Sequence, residues 1–216
     1  VYTYGMENQA CDLVAHLHPD GSFTVINNGL PSEMLPVGGS FTAKLSIPGA
    51  HNVLNALAAA SVGLLMGETV ENIRTGLVSY TASGMRQNIY EQNGFRIYAD
   101  CYNASPTSME SSLSVLGGME CSGRKCAVLG DMLELGEMSA QLHAGVAEYI
   151  TKNADCAFLY GAEMANCREA LERSGFEVHH STDKAALTAE LLSWLRPGDI
   201  ALFKGCLLYT SPSPRD

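Results

Sequence analysis

The sequence predicts an α/β protein whose C-terminal part is built on a mainly parallel sheet. Three observations carry that prediction. Beyond residue 84, short apolar segments take turns with amphipathic ones, the short segments are apolar at consecutive positions, and the small residues Thr81-Ala82-Ser83-Gly84 separate this part from what precedes it. Strands apolar throughout are buried on both faces, as in a parallel sheet covered by helices on two sides. A run of small residues can act as a hinge between domains, so the expected boundary falls at residue 83.

Before the hinge, Asp12 to Asn27 alternates loosely around His18-Pro19-Asp20-Gly21, and Asp-Gly between two such runs signals a hairpin. Phe41 to Ile47 reads as a further strand, and Pro48-Gly49 breaks it. A helix follows from His51, with Leu54, Leu57, Ala58, Ser61 and Leu65 at the spacing of one buried face, and Gly67 ends it. A second helix runs from Val70 to Tyr80. After the hinge, strands are expected at Gln87 to Tyr90, Arg96 to Asp100, Cys126 to Leu129, Cys156 to Tyr160, Val178 to His180 and Ile200 to Phe203. They alternate with helices over 107–117, 139–151, 163–173 and 184–195. Leu142, Val146, Tyr149 and Ile150, then Leu187, Leu191, Trp194 and Leu195, each mark one apolar stripe. The Ser/Pro-rich end, Leu207 to Asp216, fits none of this and resembles translated sequencing-adaptor read-through, so it is read as a non-native tail.

Composition narrows the function classes. With 216 residues and 46% apolar content, the chain can bury one large core or two modest ones. The net charge of −10 and the absence of a Lys/Arg cluster argue against nucleic acid as a partner. The longest apolar stretch, Val53 to Met66, is diluted by Asn55 and falls short of the roughly 20 residues that span a bilayer, so no membrane segment is expected. Residues 1–15 show no basic start before an apolar run, so no secretory signal is expected within them. Seven cysteines without a CxxC pair suit reduced, individually buried thiols better than disulfides or zinc, which agrees with a cytoplasmic address.

In parallel sheets ligands bind at the carboxyl ends of strands. Three segments lie where that rule or a helix start places ligands. In Ile47 to Ala60, a Pro-Gly turn delivers His51, Asn52 and Asn55 to the first helical turn, where polar side chains can meet a ligand and an Asn amide can pair with a purine edge. Plain capping explains the same residues. In Ala99 to Pro106, Asp100 can accept from ribose hydroxyls or a metal-bound water, Tyr102 can pack on a base, and Asn103 and Ser105 can hydrogen-bond a substrate. An Asx turn with a helix cap is the other reading. In Val128 to Ser139, Asp131 is the carboxylate best placed to meet magnesium or an amine, while Glu137 and Ser139 suit a solvated loop and helix cap. Arg86 and Lys204 are isolated cations that can contact phosphate or carboxylate. The His179-His180 pair reads as strand, because neighbours on a strand face opposite ways. No G-x-x-x-x-G-K-[ST], HExxH, G-x-S-x-G or G-x-G-x-x-G motif occurs.

In order, GAHNVLNALAA, the hinge Gly84-Met85-Arg86, DCYNASP, VLGDMLELGE and a strand ending in Lys204-Gly205 resemble the Mur ligase family, in particular its branch that adds D-alanyl-D-alanine. The resemblance covers nearly all of residues 1–206. It implies a remnant of the central ATPase domain over 1–83, followed by a Rossmann-like, mainly parallel α/β C-terminal domain over 84–206. It also implies ATP and Mg2+ as cofactors, UDP-N-acetylmuramoyl-tripeptide and D-alanyl-D-alanine as substrates, and a monomer. In this family the Gly-Lys-Thr phosphate loop, the magnesium-binding acid and His, and a carboxylated lysine fall upstream of the position of Val1. The chain is therefore expected to be a fragment, inactive alone and without catalytic or metal-ligating residues of its own.

By the same resemblance His51, Asn52, Asn55, Arg86 and Asp100 are nucleotide contacts, and Tyr102, Asn103, Ser105, Asp131 and Lys204 face the substrates. Ser105 stands where the family usually has Asn, Ala99 where many members have Asp, and Cys206 where Ser is expected. The competing expectations are another ligase of the superfamily, of the tripeptide-forming or folate-glutamate type, and a non-catalytic nucleotide-binding module.

Overall fold

The computed structural model describes residues 1–81 and 87–205. Arg86, most of the small-residue hinge, Cys206 and the tail lie outside the described residues. Two compact units divide after Thr81.

The first unit holds a four-stranded sheet in the order β1 (Tyr4–Gly5), β2 (Leu13–Leu17), β3 (Ser22–Asn27) and β4 (Ser40–Lys44). β1 and β2 run parallel and the other pairs antiparallel. The expected hairpin joins β2 to β3: Gly21 sits at φ 78, and Asp20 Oδ1 accepts from the Ser22 N–H at 3.0 Å. Buried Asn27 closes β3 by using its whole amide. Its Nδ2 donates to the Leu30 and Leu35 carbonyls at 2.8 and 2.7 Å, and its Oδ1 accepts from the Gly29 and Leu30 N–H groups at 3.1 and 2.7 Å. That one side chain fixes the loop leading to β4.

The helix α1 (Ala50–Leu65) starts after Gly49, at φ 112, and α2 (Val70–Ser79) is capped by the Thr69 side chain, which accepts from the Asn72 N–H. The buried stripe of α1 is Val53, Ala56, Leu57, Ala60 and Leu64, packed with Leu13, Phe23 and Val25 of the sheet. Of the expected face, Leu57 and Ser61 are buried, whereas Leu54 and Leu65 are 41% and 43% exposed. Both stripes have helical spacing, but the alanines on the buried one let the helix approach the sheet closely. The leucines one position further on fall on the solvent side.

The second unit carries a six-stranded sheet in the order β5-β6-β10-β7-β8-β9, from β5 (Asn88–Gln92), β6 (Phe95–Asp100), β7 (Lys125–Gly130), β8 (Cys156–Tyr160), β9 (Val178–Ser181) and β10 (Ile200–Lys204). All pairs are parallel except β5 with β6, a hairpin turned by Asn93 (φ 53) and Gly94 (φ 81). The helices are α3 (Pro106–Gly118), α4 (Ser139–Asn153), α5 (Ala165–Arg173) and α6 (Lys184–Trp194).

Alternate residues of each central strand serve two cores. Tyr98, Leu129, Leu159 and Leu202 pack with Met109, Leu113, Ile150 and Leu171 from α3, α4 and α5. Val128, Phe158 and Ala201 pack with Leu187 and Leu191 of α6. β10 comes last in the chain yet lies between β6 and β7, so its carboxyl end is flanked by the loops that leave those two strands.

Candidate functional site

The parallel register sets Lys204 beside Asp100, at the carboxyl ends of neighbouring strands β10 and β6. Lys204 Nζ donates to Asp100 Oδ2 at 2.7 Å and to the Asn103 carbonyl at 3.1 Å. The Ser112 hydroxyl of α3 donates to the same carboxylate oxygen at 2.7 Å. Lys204 is only 2% exposed, so its charge is neutralised inside the protein and its stem packs in the core. Burial, and then the Asp100 charge, push the Tyr98 phenol well above its ordinary value. Cys101 is raised by the same two causes in the same order, and its thiol donates to the Phe203 carbonyl at 3.3 Å.

The loop after β6 turns tightly into α3. Ser105 caps that helix, accepting from the Ser108 N–H at 3.3 Å while its own N–H donates to the Ser108 hydroxyl at 2.9 Å, and Pro106 fills the first helical position. Asn103 Oδ1 accepts from the adjacent Ala104 N–H at 2.8 Å. Tyr102, 65% exposed, and its neighbour Asn103 are the exposed members of this loop.

In the first unit Asn52 and Asn55, with Leu45, Ile47, Ala56, Ala60, Ile73, Leu77 and Tyr80, line a largely apolar cavity of about 520 Å³. Asn52 is buried and donates from Nδ2 to the Pro48 carbonyl at 2.6 Å, which ties the helix start to the Pro-Gly turn. Asn55, one turn on, is exposed on the rim, and His51 is half-buried before it. Apolar walls with an amide at the edge suit a flat heteroaromatic ring that must also be hydrogen-bonded.

Residues 85–207 match the family described as Mur ligase, glutamate ligase domain. The chain belongs to the Mur ligase family. Among curated relatives of this Mur ligase chain, the UDP-N-acetylmuramoyl-tripeptide–D-alanyl-D-alanine ligase of Bacillus subtilis is 36% identical over 165 residues, covering 74% of the chain and 36% of that protein. The ligase of the same name from Escherichia coli is 35% identical over 169 residues, covering 77% of the chain and 36% of that protein. Among solved structures, MurF from Acinetobacter baumannii superposes with a TM-score of 0.78 at 25% identity, over 95% of this chain and 43% of that one. MurF ligase from Thermotoga maritima in complex with ADP gives 0.72 at 27% identity, over 95% and 45%. The Mur ligase chain thus spans 36% of the length of these two curated relatives. Among the described residues no helix is long and apolar enough to cross a membrane.

The structure brings Asp100, Asn103 and Lys204 of this Mur ligase chain together and gives Asp131 a different setting. Asp131 follows β7, and its two oxygens accept from the Met164 and Glu163 N–H groups at 2.9 and 3.3 Å. A side chain at Gly161, which has φ 115, would sit 2.3 Å from that carboxylate, so glycine is required there. Asp131 is thus held by two backbone donors, and Asp100 Oδ2 by Lys204 and Ser112.

Sequence reasoning missed His143, on α4 and wholly buried. Its Nε2 accepts from the Met132 N–H at 3.0 Å and its Nδ1 donates to the Ser139 carbonyl at 2.8 Å, which pins the Asp131–Gly136 loop to the helix that follows. Histidine four residues into a helix gives no sign of this, because the partner comes from a loop behind it. His143→Ala is expected to cost about 2 kcal/mol by orphaning the Met132 N–H and leaving a cavity. Urea unfolding measures that loss, and hydrogen exchange should show it concentrated in residues 131–138.

Proposed function

We propose that this chain is the C-terminal part of an ATP-dependent ligase that joins D-alanyl-D-alanine to UDP-N-acetylmuramoyl-tripeptide through an acyl phosphate, a cytoplasmic step of peptidoglycan precursor synthesis. Residues 1–83 are then the end of its ATPase domain and 84–206 its C-terminal domain. The observation that supports this most is the apolar cavity edged by Asn52 and Asn55, a feature a nucleotide-dependent enzyme needs, in a chain whose relatives carry that ligase's name. Adenine stacks between the apolar walls, and the amide of Asn55 pairs with its edge. The second unit contributes position: Asp100, Tyr102, Asn103 and Ser105 at one strand end form a polar rim, and such a rim brings an amine to an activated carboxyl by proximity rather than by proton transfer. Magnesium and the phosphates are left to the part of the enzyme that carries a Gly-Lys-Thr loop, a motif absent from these 216 residues.

Binding of ADP, followed by calorimetry, tests the nucleotide assignment. Asn55→Ala, on an exposed helix face, is expected to leave the fold intact and weaken ADP about tenfold, the loss of one good hydrogen bond. An affinity unchanged by Asn55→Ala refutes the adenine role. In the intact enzyme, product formation with D-alanyl-D-alanine but not with single amino acids separates this reading from the other ligases of the superfamily.

A further inference from the structure

At the end of the second sheet opposite Asp100 and Lys204, three donors of different chemistry converge. Cys156 opens β8, Glu177 precedes β9 and His179 lies within it, and one ligand atom from each lies within 4.8 Å of the others. We propose that Cys156, Glu177 and His179 form a binding site for a divalent transition ion of the zinc type, with a fourth position open to water.

The donors are already oriented. The His179 ring stacks on Phe158 with centroids 4.4 Å apart and planes 6° from parallel. Its Nδ1 faces Glu190 Oε2 of α6 at 3.4 Å, while its Nε2 is buried without a hydrogen bond, 3.6 Å from Glu177 Oε1. A carboxylate on one imidazole nitrogen and a vacant lone pair on the other is the arrangement that prepares histidine for a metal. Glu177 is held in turn, since its Oε1 accepts from the Trp194 indole N–H at 2.7 Å.

Thiolate, imidazole and carboxylate together, with one position left over, match zinc coordination, and the sulfur discriminates against magnesium and calcium. Burial, and then the Glu177 charge, push the Cys156 thiol up to about 12. Binding breaks the S–H bond, forms the sulfur–metal bond and releases one proton to the buffer.

The site was invisible in the sequence because its donors are joined by strand pairing rather than by spacing. Phe158 lies opposite His179 in the parallel register, which brings Cys156 and Glu177 to the same face two residues earlier. The reading of His179 as an ordinary strand residue is right for its backbone and incomplete for its ring.

Cobalt(II) titration of the chain, read by absorption, tests this. The expected result is a thiolate-to-cobalt charge-transfer band that saturates at one ion per chain, is displaced by equimolar zinc and resists excess magnesium. The band should vanish in Cys156→Ser, and His179→Gln and Glu190→Gln should each weaken binding at least about tenfold. No band from the folded chain, or a band that persists in Cys156→Ser, overturns the site. If Cys156→Ser loses its native circular dichroism, Glu177→Gln at the exposed carboxylate carries the test, and a cobalt affinity equal to that of the unsubstituted chain overturns it.

Discussion

Asp199→Ala is expected to destabilise the second unit by about 2–6 kcal/mol, the cost of orphaning two buried backbone donors at roughly 1–3 kcal/mol each. Asp199 is 2% exposed and sits just ahead of β10. Its Oδ1 accepts from the Arg124 N–H at 2.8 Å, and its Oδ2 accepts from the Arg196 N–H at 2.9 Å and from Arg124 Nη2 at 2.7 Å. One carboxylate thus ties together the segments that enter β7 and β10, and alanine leaves two backbone donors unsatisfied. Gly123 is packed against it so closely that a side chain there would lie 2.4 Å from Asp199 Oδ1, leaving no room to rearrange.

Arg124→Ala should cost less, because that side chain is 36% exposed and its backbone N–H remains to bond the carboxylate. Burial works to raise the Asp199 carboxyl, but the hydrogen bonds from Arg124 and Arg196 outweigh it, and the group ends below its ordinary 3.8. A lowered carboxylate stabilises fully above the unfolded value and loses that contribution as pH falls through the folded one. The gap between the unsubstituted chain and Asp199→Ala, measured by urea unfolding, should therefore shrink as the pH falls below 3.8 and through the lower folded value. A gap independent of pH would mean that packing, not charge, holds this corner.

What the sequence disclosed follows the range of the forces involved. The strand and helix alternation of the second unit is set by local apolar pattern, and there the expected elements and the observed ones agree to within two residues at almost every boundary. The two-residue β1 has no local signal, since it exists only by pairing with β2. Asn93-Gly94 did carry a turn signal, and reading it would have shown that β5 joins the parallel sheet as an antiparallel edge.

The site divides in the same way. Ser105 and Pro106 cap a helix as their positions in the chain suggest, whereas the roles of Asp131 and His143 depend on N–H groups 33 and 11 residues away. On α1 the periodicity was legible but its phase was not. Two overlapping stripes share Leu57, and the closeness of the sheet favours the one that carries Ala56 and Ala60.

Lys204→Ala is expected to lower stability by about 3 kcal/mol and, in the intact ligase proposed here, to reduce activity, for one shared reason. Lys204 is a buried cation whose ammonium holds the end of β6 and the loop after it through Asp100 and the Asn103 carbonyl. Without it the Asp100 carboxylate, 13% exposed, keeps the Ser112 hydroxyl but no counter-charge. The loop that presents Tyr102 and Asn103 then loses its anchor.

Arginine should not rescue the variant, because a planar fork cannot replace a compact ammonium that is only 2% exposed. Lys204→Met with Asp100→Asn should recover much of the loss, since neither charge is then stranded, so the two substitutions should be non-additive by more than about 1 kcal/mol. That cycle separates two roles that the position of Lys204 leaves entangled. If the double variant regains stability but not activity, the ammonium or the carboxylate also meets the substrates. If both return together, the pair acts by holding the strand ends in register, and contact with the reacting groups belongs to the loop it supports.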